Sequence, residues 1–224
     1  MSDRSLGRLV SRLAPLVALA LGAALRLVNL AWKSVDNDEA FSWANTHKPL
    51  FQLISDSLAL RGDPHPPVYW TALKFWIAAA GDSELAMRLF TALTGIVFIA
   101  LTYYLGRQLF SRPAGVAAAL FVALSPWLIW NSQDARMYTL GGTLALGGLI
   151  CLMQGLRNGS WRWLGGYFVL TVLACYTHLA ASFLLPFEGL AIVISAFWFR
   201  PGGWRAAGRA LLALVAAGLV FIND

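Results

Sequence analysis

The sequence predicts an all-α, polytopic membrane protein. Three observations carry that prediction. Hydrophobic residues fill 58% of the 224 positions. Charged residues make up only 12%, against about a quarter in a soluble domain. Apolar runs approaching the length needed to cross a bilayer recur along the whole chain. The net charge of +6 does not point to nucleic acid, because the basic residues fall between apolar runs and so report topology. Cys151 and Cys175 both sit inside such runs and read as small packing residues.

The first element follows Arg4, Arg8 and Arg12. The apolar stretch behind them has no small-residue cleavage site, so it reads as a retained span at about 13–31. The next apolar segment, 66–80, decides the side of everything after it. It is short, opens with Pro66-Pro67 and carries Lys74 in its middle. If it does not cross, the N-terminus and the loops near 107–112, 157–162 and 200–209 share one side and hold ten of the seventeen basic residues. If it crosses, the seven arginines of those loops move outside, against the positive-inside rule. We therefore expect 66–80 to be a helix at the outer interface, with Trp70 and Trp76 at that depth. It belongs to an outer loop at 32–85.

The remaining spans are expected at about 86–106, 114–131, 138–156, 163–179, 180–199 and 210–224, seven in all, with the N-terminus cytoplasmic and the chain multi-pass in the cell inner membrane. The last begins near Ala210 and is short by Asp224, which suggests that a C-terminal remainder is missing. Eight of the eleven acidic residues then lie on the outer, periplasmic face, and that is where chemistry is expected.

Four polar clusters share that face. Asp36-Asn37-Asp38-Glu39 follows the first span; such carboxylates bind a divalent cation (Mg or Mn) or take a proton from an acceptor hydroxyl, or form a solvated acidic loop. Asp63-Pro64-His65-Pro66-Pro67 offers His65 as a metal ligand, a phosphate contact or a turn residue. Ser132-Gln133-Asp134-Ala135-Arg136-Met137-Tyr138 contains an outer arginine, and guanidinium matches phosphate geometry. Arg88 carries the same reading, and both arginines have the plainer alternative of snorkelling. The fourth cluster is Tyr176-Thr177-His178. Arg26 is expected to snorkel, and Glu188, within the sixth span, to bond a neighbouring helix.

Taken in order, Asp38-Glu39-Ala40, His65-Pro66-Pro67-Val68-Tyr69-Trp70, Gly81-Asp82-Ser83-Glu84 leading to Arg88-Leu89, the 132–138 cluster and Tyr176-Thr177-His178 resemble the family 39 glycosyltransferases. These are the dolichyl-phosphate-mannose protein mannosyltransferase-like membrane enzymes of the GT-C fold, to which bacterial aminoarabinose transferases are related. The resemblance implies a seven-span N-terminal GT-C module with interfacial helices in the first outer loop. It also implies transfer of a sugar from a polyprenyl-phosphate donor to a hydroxyl of a lipid, glycan or protein acceptor, with inversion. By the same resemblance Asp38 is the catalytic base, Glu39 its neighbour, and Arg88 and Arg136 hold the donor phosphate, while the residues themselves offer Glu39 and His65 as metal ligands. Asp134, Tyr138 and His178 line the site. His65 stands where the aminoarabinose transferases have a lysine, and Pro64 where they have a glutamate. Two other readings stay open at this point, an inactive fragment of such an enzyme and a non-catalytic transporter or assembly subunit. Only Glu188 lies at depth and no internal repeat is visible, which argues against a transporter.

Overall fold

The computed structural model describes residues 3–59, 61, 65–198 and 203–222, with side chains from residue 13 to 197 and from 203 to 221 within those ranges. Asp63, Pro64 and Arg200 lie outside the described residues, as do the side chains of Arg4, Arg8 and Arg12. What is described is helical. The order is α1 (Asp3–Leu27), α2 (Asn37–His47), α3 (Leu50–Leu58), α4 (Val68–Ala80), α5 (Glu84–Leu109), α6 (Arg112–Leu124), α7 (Pro126–Ser132), α8 (Tyr138–Asn158), α9 (Trp161–Cys175), a short 3-10 segment (Leu179–Phe183), α10 (Leu184–Trp198) and α11 (Gly203–Ile222).

Among the described residues, four helical stretches are long and apolar enough to cross a membrane: Glu84–Leu109, Tyr138–Asn158, Leu179–Phe197 and Gly203–Phe221. The pair α6 and α7 makes a fifth if counted as one broken span. Leu13–Leu27 of α1 is a shorter apolar helix. At about 1.5 Å per residue, α9 rises roughly 22 Å, less than a hydrocarbon core of about 30 Å. Large side chains cover the outsides of these helices, among them Phe121 at 77% exposure and Phe187 at 70%. In water such faces would aggregate; in lipid they are the solvated surface. The protein is an all-α polytopic membrane protein.

Three expected elements differ in detail. The segment expected as one span at 114–131 is broken at Ser125, where the chain turns by 63°. Pro126 is the cause: it has no N–H to continue the helix, and it holds Ser125 in an extended conformation (φ −66°, ψ 116°). The last helix begins at Gly203 rather than near Ala210 and runs 20 residues, ample for a span. The acidic segment after the first span is not a loop throughout. Asp38 and Glu39 lie in the first turn of α2, and the Asp36 carboxylate accepts the Glu39 backbone N–H at 2.9 Å. Asp36 and Glu39 have the spacing of a helix N-terminal capping pair.

The chain divides into two compact units, residues 1–47 with 72–139, and residues 48–71 with 140–224. In the first, α1 packs on α5 and α6, and α5 on α6 and α7. The seam is built from Ala18, Ile99, Ala119, Val122 and Ala123, small enough to let backbones approach. At Gly115 a Cβ would lie 2.7 Å from the Tyr103 carbonyl oxygen and 2.8 Å from the Arg107 nitrogen, so the α5–α6 hairpin closes only on glycine. Within the same unit Lys74 of α4 donates to the Thr46 carbonyl at 2.7 Å, and Trp76 donates to the Ala86 carbonyl at 2.8 Å. These bonds tie α4 to the end of α2 and the start of α5.

In the second unit α9, α10 and α11 pack around Leu152, Leu164, Tyr167, Ile192, Ala196, Ala207 and Ala210. Tyr167 donates to Glu188 at 2.6 Å. Arg209 donates to the Gly159 carbonyl at 3.0 Å and lies over the Trp161 ring. Trp70 is 1% exposed, with its ring edge-on to His65 at 6.2 Å.

Candidate active site

The first unit gathers side chains from three separate stretches of the sequence, 33–39, 84–88 and 130–138. Its centre is the pair of Glu39 and Arg88, 0% and 1% exposed. The guanidinium forks onto the carboxylate, Nε to Oε1 at 2.8 Å and Nη2 to Oε2 at 2.6 Å. Its other N–H groups donate to the carbonyls of Leu30 (3.2 Å), Lys33 (2.9 Å) and Ser34 (3.3 Å). All five donors of Arg88 are therefore engaged. An Nη1 also lies 3.9 Å from Glu84. Glu39 in turn accepts the Ala135 backbone N–H at 3.0 Å. The pair thus fastens α2, α5, the 30–34 connection and the 133–137 turn to one another. Burial alone would raise the Glu39 pKa; the Arg88 hydrogen bonds, the Ala135 amide and the charges of Lys33 and Arg88 together hold it below the ordinary carboxylate value.

Beside this core lies a second acid–arginine pair of different character. Arg136 Nη1 donates to the Asp38 carbonyl at 3.2 Å, and its Nε lies 3.9 Å from Asp38 Oδ2. The Arg136 side chain is 5% exposed and that of Asp38 is 62% exposed. The carboxylate faces out while the guanidinium is sunk beneath it. Asp38, Glu39, Arg88 and Arg136 thus converge as one set, across 98 residues of sequence. Arg88 itself has no N–H left for a donor phosphate.

Two more residues complete the cluster, Asp36 of the acidic segment and Lys33, which sequence reasoning missed. Lys33 Nζ lies 3.1 Å from Asp134 Oδ1 and 3.8 Å from Asp36 Oδ2, over the Trp130 ring at 5.0 Å. Burial pushes the Asp134 carboxyl above its ordinary pKa, and the charges of Glu39 and Asp36 add to this against the pull of Lys33. Asp36 was legible as part of the acidic cluster; nothing in the sequence marked Lys33. Tyr138 begins α8 within the same unit and is 41% exposed. His65 and His178 belong to the second unit, where their rings lie 5.8 Å apart.

Asp36, Glu39 and Asp134 bring carboxylate oxygens within 4.8 Å of one another, which is the donor set a divalent ion would need. The residues do not fit such an ion as they stand. Lys33 already bridges Asp36 and Asp134, and Arg88 holds both oxygens of Glu39. An incoming cation would have to displace two positive charges.

A cavity of about 340 Å³ lies on another face of α2, lined by Val35, Ala40, Trp43, Asp82, Ser83, Glu84 and Met87. Asp82 there accepts from Trp43 Nε1 at 3.0 Å and pairs with His47 at 2.9 Å. Neither Asp38 nor Arg136 lines it.

Comparison with known proteins adds one match. A family model described as dolichyl-phosphate-mannose-protein mannosyltransferase matches residues 64–222. No curated protein matches the chain. The matched range includes Arg88, Asp134 and Arg136 and stops short of Asp38 and Glu39, which join it through the two acid–arginine pairs.

Proposed function

Since the chain belongs to the dolichyl-phosphate-mannose-protein mannosyltransferase family, and is a membrane glycosyltransferase using a polyprenyl-phosphate sugar donor, we propose that it transfers the sugar at Asp38, on the outer face of the membrane, with inversion. The observation that carries this reading is the pair of an exposed Asp38 carboxylate and a buried Arg136 guanidinium 3.9 Å apart. A carboxylate open to solvent is placed to meet an acceptor hydroxyl. A guanidinium held beneath it, on a turn at the end of a membrane helix, meets a phosphate arriving from the lipid.

The step then runs as a single displacement. The acceptor O–H gives its proton to Asp38 as its oxygen bonds to the anomeric carbon. The bond from that carbon to the phosphate oxygen breaks, and the polyprenyl phosphate leaves with the electron pair. Arg136 meets the charge that develops on it. One displacement inverts the anomeric centre. Arg88 and Glu39 hold this arrangement together and make no contact with substrate. Lys33 takes the place of a divalent ion between Asp36 and Asp134, so no step is routed through a metal.

The outer placement draws support from the bonds that tie α4 to α2 and α5, which suit a helix of about 20 Å that stays on one side. The Arg209–Gly159 bond supports one shared side for the two arginine-bearing segments at 157–162 and 203–209.

The test uses the chain in lipid nanodiscs with a radiolabelled polyprenyl-phosphate sugar and a hydroxyl acceptor. Asp38→Asn keeps the shape and removes the base, so transfer should be lost while donor binding persists. Arg136→Ala should instead weaken donor binding by about 1.5–3 kcal/mol. Transfer at the wild-type rate by Asp38→Asn would sink the assignment.

A further inference from the structure

Arg26 was expected to reach for the membrane surface, yet it is 1% exposed and makes four hydrogen bonds inside the first unit. Its Nη2 donates to the Val122 carbonyl at 3.0 Å, its Nη1 to the carbonyls of Ala123 (3.2 Å) and Gly22 (3.1 Å), and its Nε to Ser132 Oγ at 3.1 Å. The reason lies in the break after α6. In a continuous helix the Val122 carbonyl would accept from residue 126, but that residue is Pro126, which has no N–H. A carbonyl left bare in an apolar surrounding is costly, and the Arg26 guanidinium supplies the missing donor. On the far side of the break Ser132 accepts from Arg26 and donates to the Leu128 carbonyl at 2.6 Å. One side chain therefore holds both limbs of the bend.

The debt is returned within one residue of Ser132. Gln133 Nε2 donates to the carbonyls of Leu25 (3.1 Å), Arg26 (3.4 Å) and Val28 (3.0 Å), at the C-terminal end of α1 where carbonyls run out of helical partners. Each helix end is capped by a side chain from the other. On the α5 wall, Gly95 leaves room for this: a Cβ there would collide with Ser132 Oγ and lie 3.2 Å from Arg26 Nε. Arg136 follows Gln133 by three residues, and Lys33 follows Arg26 by seven.

We propose that Arg26 and Gln133 form a reciprocal clasp that sets the 132–136 turn, and that they are positioning residues for sugar transfer, aligning Arg136 with Asp38 without touching substrate. The proposal rests on the reading of Asp38 and Arg136 given above.

The experiment compares Gln133→Met, Arg26→Lys and Arg26→Gln with the unaltered chain in nanodiscs. Gln133→Met keeps the volume and removes the cap, so it remains informative if the Arg26 variants fold poorly. Activity is read as kcat per folded molecule and as KM for the donor. Independently of activity, protein carrying 5-fluorotryptophan reports the Trp130 resonance by fluorine NMR, assigned with Trp130→Phe. Displacing the turn by about an ångström should lower kcat on the order of 100-fold and shift or broaden the Trp130 signal, with partial rescue by Arg26→Lys relative to Arg26→Gln. Unchanged kcat per folded molecule overturns the proposal even where the melting temperature falls. So does a fall in kcat with the Trp130 signal unmoved, because the turn would then not be what the clasp sets. If the unaltered chain transfers no sugar, the catalytic reading fails by itself, and an unmoved Trp130 signal still rejects the clasp.

Discussion

At the scale of single residues, two arginines expected to hold the donor turn out to do different work. Arg88 spends its donors on Glu39 and three backbone carbonyls, whereas Arg136 lies under the exposed Asp38. Removing Arg88 would strand a buried carboxylate, and breaking such a pair costs about 3–5 kcal/mol. Arg88→Ala should therefore lower the thermal unfolding midpoint in detergent sharply; an unchanged midpoint would refute the structural role. The pH dependence has a defined sign. The folded-state pKa of Glu39 is lowered, so the stability it contributes is present above the ordinary carboxylate value and is lost as pH falls through the lowered one. The sequence offered Asp38, Glu39, Arg88 and Arg136 as candidates because each is a charge at a span end. It could not say which acid meets which base, since those pairings join residues 49 and 98 positions apart. Arg26 was misread for the same reason: its partners, Val122, Ala123 and Ser132, become visible only when α1 lies against α6.

At the scale of elements, the helices were largely legible from apolar runs, whereas their interruptions were not. The α6–α7 break at Pro126 fell inside what read as one span at 114–131, and the start of α2 fell within what read as an outer loop. The early start of α11 was hidden by Arg205 and Arg209, which read as loop charges although the helix already includes them. Close packing was not legible, because a glycine in an apolar run looks alike whether it faces lipid or a backbone. At Gly115 a methyl group would press on backbone atoms of α5 that cannot turn aside. Gly115→Ala should thus destabilise the α5–α6 hairpin by about 1–3 kcal/mol, read from thermal unfolding in detergent. A neutral result would show that the two helices can separate without loss.

At the scale of the whole molecule, composition alone announced a membrane protein, while the division into two units was not foreseen. The proposed topology turns on α4. With Cys151 and Cys175 replaced, a cysteine at Gln52 should react with an impermeant thiol reagent on intact cells, and one at Asn158 should react only after permeabilisation. Reaction of both cysteines on intact cells would place α4 across the bilayer, with Asp38 before it and Arg136 after it on opposite sides. The contrast in exposure between Asp38 and Arg136 has a consequence for how a turnover ends. In the proposed mechanism the two products part into different phases: the released phosphate stays with its lipid beside the sheltered cation, whereas the proton taken by the exposed carboxylate passes directly to bulk water. Resetting the base then needs no internal proton relay and no opening of the protein. The next acceptor finds a carboxylate recharged by the solvent it arrived through.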